Sequence, residues 1–201
     1  MKFRILTSCL LALLLLAACS RQLPPTQDTE PTLPSFSQEK TPLELLTEAV
    51  EKSKNTPSAT VRYGTVTHQG EQKQEQIHAQ SVSADCPLNL DAIRADLPDF
   101  PTNENCLADF CAGRIRVIPS NDGTFRYELP ELTWDALWAL MHGPSTPDDR
   151  YGDYTQILCT AAIDIDPQGR ISRLEFITEL FSEAQQPERT VTVFLSVDYG
   201  A

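Results

Sequence analysis

Thiols, imidazoles, clustered carboxylates and aromatic faces are where side-chain chemistry starts, and these 201 residues supply few of each. Six cysteines occur, and four of them, Cys86, Cys106, Cys111 and Cys159, fall where the chain has globular patterning. Their thiolates would suit zinc, but no Cys-x-x-Cys pair exists and Cys106-x4-Cys111 is loose for a tetrahedral site. The three histidines, His68, His78 and His142, share no HxH, HxxxH or HExxH spacing that would turn two rings to one metal. His142 is explained more simply by the negative end of the helix it closes. The loop Pro147 to Tyr154 carries Asp148, Asp149 and Asp153, hard oxygen ligands of the kind calcium takes, without the EF-hand pattern. A Gly-x-Ser-x-Gly elbow and a glycine-rich phosphate loop are both missing, and eight glycines leave little material for either. Among 28 acids, carboxylate pairs for glycoside hydrolysis are too numerous to single one out. These residues imply no enzyme, no metal and no cofactor. The remaining candidate is apolar: Trp134, Leu137, Trp138 and Met141 recur at helical spacing, a stripe that is either core or the lining of a ligand pocket.

The elements that must position these residues begin with a segment that is not part of the domain. Met1-Lys2-Phe3-Arg4 is a short cationic start, followed from Ile5 to Ala18 by an uncharged run. At about 14 residues, roughly 21 Å as a helix, the run is short of the ~20 residues that span a bilayer. It has the form of a secretory h-region and ends Leu16-Ala17-Ala18-Cys19. Position by position these four resemble the lipobox of bacterial lipoprotein signal peptides: Leu, a small residue, Gly or Ala, then Cys. The resemblance implies a diacylglyceryl thioether on Cys19, cleavage before it and acylation of the new amino terminus. Two or three chains give a durable anchor where one would not. It also implies residence on the extracytoplasmic face of a cell membrane or outer membrane. In a two-membrane envelope, Ser20 resembles the signal for the outer one. Cys9 lies within the run and leaves with the peptide.

Removing residues 1–18 takes Lys2 and Arg4 and no acid, so the mature chain carries 14 basic and 28 acidic side chains, a net charge of −14. Such a chain is repelled by phosphate backbones and anionic headgroups, which excludes nucleic acid as a natural partner. The only membrane contact implied is through the lipid. Four cysteines in an oxidising compartment read as two disulfides with three possible pairings. Cys86–Cys106 with Cys111–Cys159 is preferred, because the first closes a helix-bearing excursion and the second ties it to a central strand.

The organisation is a signal peptide (1–18), a lipidated cysteine with a proline-rich tether (19–40) and one domain (41–201). Pro24, Pro25, Pro31 and Pro34 exclude helix and buried strand from the tether. Thr41-Pro42-Leu43-Glu44 is a capping box with proline at the first helical position, opening a stripe of Leu43, Leu46 and Val50. Ala59 to Thr67 is β-rich and turns at Gln69-Gly70. Lys73 to Ser83 is polar, suited to an edge strand or a helix. Residues 86–112 are irregular, with Asn89 capping a short helix of Leu90, Ile93 and Leu97. Arg114 to Ile118, the turn Asn121-Asp122-Gly123, and Phe125, Tyr127 and Leu129 form a hairpin. Thr133 caps the tryptophan helix, which stops at Gly143-Pro144. Three alternating strands close the chain, the cleanest being Val191, Val193, Leu195, Val197 and Tyr199.

This order predicts an α+β fold, a curved antiparallel sheet of six to seven strands with amphipathic helices on one face. Together with the lipobox it is similar to the half-barrel of lipoprotein carriers and their lipid-anchored relatives (LolA/LppX-like), which implies an apolar cavity between sheet and helices. The expected function is a non-enzymatic module binding an apolar ligand, lipid or envelope protein beneath Trp134, Leu137, Trp138 and Met141. The alternative is an accessory envelope module with a filled core.

Overall fold

The structure is a computed structural model describing residues 40–83, 85–97, 99–183 and 186–200; the signal run, Cys19 and the tether to residue 39 lie outside the described residues. Helix α1 (Pro42–Lys54) starts as its sequence dictates: the Glu44 N–H donates to Thr41 Oγ1 at 3.3 Å and the Thr41 N–H to Glu44 Oε2 at 2.7 Å. The capping box contributes about 1 kcal/mol. The helix buries Leu46, Ala49, Val50 and Ser53, while Leu43 of the expected stripe stays on its outer side.

Strands β1 (Ser58–Gln69) and β2 (Gln72–Ser83) form a hairpin that turns through Gly70 at φ +56°, a left-handed position that suits glycine. Residues 73–83 resolve as the edge strand of the two options, their polarity matching solvent on that edge. Then come helices α2 (Leu90–Asp96), capped by Asn89 Oδ1 on Ala92 N–H at 3.1 Å, and α3 (Cys106–Ala112). Strands β3 (Arg116–Pro119) and β4 (Phe125–Leu132), helix α4 (Trp134–His142) and strands β5 (Gln156–Ile165), β6 (Ile171–Phe181) and β7 (Arg189–Asp198) complete the fold.

All seven strands form one antiparallel sheet in the order β2-β1-β7-β6-β5-β4-β3. The fold is α+β. Inward residues of β1 (Val61, Tyr63), β5 (Cys159, Ala161, Ile163), β6 (Leu174, Phe176) and β7 (Val193, Leu195) join α1 to α4 in the main core, beside a smaller cluster of Tyr151, Leu180 and Val191. The opposite face carries a charged ladder in which Arg126 bonds Asp164 at 3.1 Å and Glu175 at 2.7 Å, and Arg173 also bonds Glu175 at 2.7 Å.

Two expectations meet a different structure. The sheet is not strongly curled. Curvature is installed by bulges and glycine kinks, and among the described residues register breaks occur between Leu129 and Leu132 and at Asp164/Ile165. The first of these is a turn of chain at Glu131, whose φ is +60°. The expected cross-links Cys86–Cys106 and Cys111–Cys159 are not formed, and all four cysteines are free thiols. Cys106 and Cys111 sit on the short helix α3, which residues 86–112 conceal because Asn103-Glu104-Asn105 precede only two well-spaced apolar residues, Leu107 and Phe110.

Candidate functional site

The inward face of the sheet is not evenly filled. At the end nearest α1, β1 and β5 present small side chains, Ala59 and Ala161, beside Val61. Larger residues of β6 and β7, Leu174, Phe176, Leu195 and Val197, bound the space laterally. Val50 and Ser53 of α1 form one wall. The excursion between β2 and β3 arches over as a roof through Leu88, Phe100, Leu107 and Phe110, its backbone turned by Pro87 and Pro101. The result is an apolar cavity of about 400 Å³, within the ~300–1,000 Å³ range of small-molecule sites.

Polar groups in the cavity wall are paired. Ser53 Oγ donates to Ala49 O at 2.7 Å and accepts from Ile171 N–H at 2.8 Å, and Tyr199 OH donates to Ile171 O at 2.6 Å. Burial pushes the Cys106 thiol up to about 12, helped by Asp109 and Cys111, so the sulfur facing the cavity behaves as an apolar neighbour and not as a nucleophile. The described interior therefore offers chiefly volume and dispersion contacts. At the mouth stand Lys54, Asn55, Thr56, Ser58 and Ser83.

The stripe expected on α4 does not line this cavity. Leu137 and Met141 are 1% and 2% exposed and belong to the filled core. Trp134 and Trp138 are half-buried and do not line the cavity. Their N–H groups hold the acidic loop, Trp134 Nε1 on Asp148 O at 3.2 Å and Trp138 Nε1 on Ser145 Oγ at 2.9 Å. Trp134 meets Tyr151 edge-on at 4.9 Å, and the Arg150 guanidinium lies about 6 Å over both indoles. Arg150 bonds Asp148 and Asp99; its hydrogen bonds are the main reason the Asp148 carboxyl titrates below the usual range. The loop with Asp148, Asp149 and Asp153 is thus tied down by aromatic and ionic contacts. Among the described residues no three His, Cys, Asp or Glu side chains are placed to hold a metal ion.

The histidines stay apart in function. His68 is exposed near the β1–β2 turn. His78 stacks on Tyr63 with ring centres 5.4 Å apart and lies 3.5 Å from Asp96, which also accepts from Tyr63 OH at 2.9 Å. This group fastens α2 to the hairpin. His142 closes α4 against Trp138 at 4.3 Å, with Thr102 Oγ1 3.3 Å from Nδ1.

The residues missed by pattern reading are the cavity walls. Their signal was present in weak form: alanines at inward strand positions, Ala59 and Ala161, opposite a proline-bounded excursion with widely spaced apolar residues. Compared with protein-family models, curated proteins and solved structures, the chain matches none.

Proposed function

We propose that this protein is a lipid-anchored extracytoplasmic bacterial lipoprotein whose domain binds an apolar ligand between α1, the α2–α3 excursion and the sheet. The carrying observation is the cavity of about 400 Å³ with Val61, Leu174, Phe176 and Phe110 in its walls. A ligand recovers the dispersion contacts that an empty space forfeits. The anchor rests on the lipobox resemblance at Cys19. Among the described residues no helix is long and apolar enough to cross a membrane. This reading keeps the binding role expected of the domain and moves it from the tryptophan helix to the opposite end of the core.

Thermal unfolding of the full chain, stripped of lipid, tests it with dodecan-1-ol as probe. Ligand at ~100 times its Kd stabilises by about 2.7 kcal/mol, so the midpoint rises in the wild type. Ala59→Trp, which places an indole in the cavity mouth, abolishes the rise. No shift in the wild type, or the same shift in the variant, contradicts the reading.

An accessory role through the surface has its own support. Val117, Ile118 and Phe125 are 49%, 45% and 45% exposed on the β3 edge and its neighbour, an apolar edge of the kind proteins normally cover or charge. Under that role, Val117→Lys abolishes cross-linking of the membrane-anchored chain to a protein neighbour while Ala59→Trp leaves it intact; cross-linking unchanged by Val117→Lys contradicts it.

A further inference from the structure

We infer that the cavity takes a single-chain amphiphile with an anionic head, a carboxylate or phosphate, and that Lys54 at the mouth receives that head. The inference rests on the apolar-ligand reading and specifies its ligand. Among the described residues, Lys54 is the one formally charged residue lining the cavity, in a chain of net charge −12. Its side chain is 28% exposed, so most of its length lies on protein at the rim, where a long cationic stem covers apolar surface and leaves its ammonium toward water.

The helix terminus beside it would by itself repel an anion, because carbonyls gather there. Three of those carbonyls, of Glu51, Lys52 and Ser53, are occupied. The Asn55 backbone N–H and Nδ2 both donate to Glu51 O, the latter at 2.9 Å, and Thr56 Oγ1 donates to Lys52 O at 3.3 Å. Ser83 Oγ is likewise engaged, accepting from Cys86 N–H at 3.2 Å. The ammonium of Lys54 contacts Glu51, whose side chain is 53% exposed. A solvated pair of this kind contributes only about 0–1 kcal/mol, and an ammonium has three donors. Lys54 can therefore turn to a second anion without dismantling the fold. A chain with an uncharged head gains nothing from it, and an alkylamine is repelled.

Native mass spectrometry of the delipidated full chain, released from non-ionic detergent, reads this directly. Hexadecanoate and hexadecyl phosphate are each compared with hexadecan-1-ol, so the two head chemistries are separated. The wild type is expected to hold at least one anionic probe roughly tenfold more tightly than the alcohol, the scale of one charge-assisted hydrogen bond. Lys54→Met brings the anion-to-alcohol ratio to about one, and Lys54→Arg preserves it. Equal binding of acid and alcohol by the wild type, or a preference that survives Lys54→Met, overturns the head assignment and leaves the apolar-ligand reading standing. If neither the alcohol nor the anions bind, the apolar-ligand reading itself fails and this inference with it.

Discussion

Arg126 shows how a single residue organises the uncovered side of the sheet. Its guanidinium spans β4, β5 and β6, bonding Glu128, Asp164 and Glu175. Burial raises Asp164, and the arginine only partly offsets this. Burial also pushes Glu175 up, but bonds from Arg126 and Arg173 outweigh it and the carboxyl titrates below its ordinary value. Arg126→Met leaves two half-covered carboxylates without their shared donor, and a loss of about 1.5–3 kcal/mol in urea unfolding is expected, the scale of charged hydrogen bonds. His142 contributes to the pH response near neutrality. Burial depresses its pKa, with Arg150 adding to that and Asp99 and Asp148 opposing; among the described residues its buried Nε2 has no hydrogen-bond partner. Below about pH 6.5 the unfolded chain takes up a proton that the folded chain resists. Stability is therefore held above that pH and falls as the solution is acidified toward the depressed folded pKa. His142→Gln flattens the midpoint-versus-pH curve between pH 7 and 5, and an unchanged slope contradicts this assignment. The thiols give a further test. Cys106, Cys111 and Cys159 are held near 12, 11 and 11 by burial, and Cys86 is exposed. Maleimide at pH 8 is expected to label Cys86 alone in the native protein and all four domain cysteines after denaturation; two missing thiols would mark a cross-link such as Cys86–Cys106.

Elements were legible in proportion to how far local chemistry alone decides them. The capping box at Thr41, the cap at Asn89 and the Thr133 cap, whose Oγ1 accepts from Ala136 N–H at 3.2 Å, all appear where side-chain spacing places them. So do β6 and β7, whose inward residues alternate over a full strand length. Helix α3 was hidden, since seven residues with two apolar anchors carry no measurable period. The cavity was hidden for a different reason: an absence of side-chain volume at Ala59 and Ala161 shows only when the strands lie beside each other. Bulk draws the ligand expectation to Trp134 and Trp138, which do not line this cavity and whose N–H groups bond Asp148 O and Ser145 Oγ. At this scale Leu137→Ala is expected to cost about 2–5 kcal/mol, because α4 packs through it on β4 and β5. Gly64→Val tests the hairpin. A Cβ at Gly64 would come within 2.1 Å of the Gln76 carbonyl oxygen, so β1 and β2 must part, and amide exchange at Gln76 and Ile77 is expected to accelerate.

At the scale of the whole molecule, the proposed anchoring would set an acidic domain on a proline-rich tether whose lipid is its membrane contact. Cys19→Ala is expected to leave the protein as unprocessed precursor or release it from the membrane fraction; a processed, fully membrane-bound form contradicts the anchor. Among the described residues one sheet packs under four helices, with the open volume at the α1 end and the tryptophans at the other. That separation means that indole fluorescence is a poor reporter of ligand, and mass is a good one. Native mass spectrometry of the full chain taken from its own membranes is the most direct test of the central claim. The wild type is expected to carry a non-covalent apolar adduct beyond its covalent lipid, and Ala59→Trp to carry none. A wild-type chain that flies at its bare lipidated mass, from membranes rich in acyl lipid, would contradict the account.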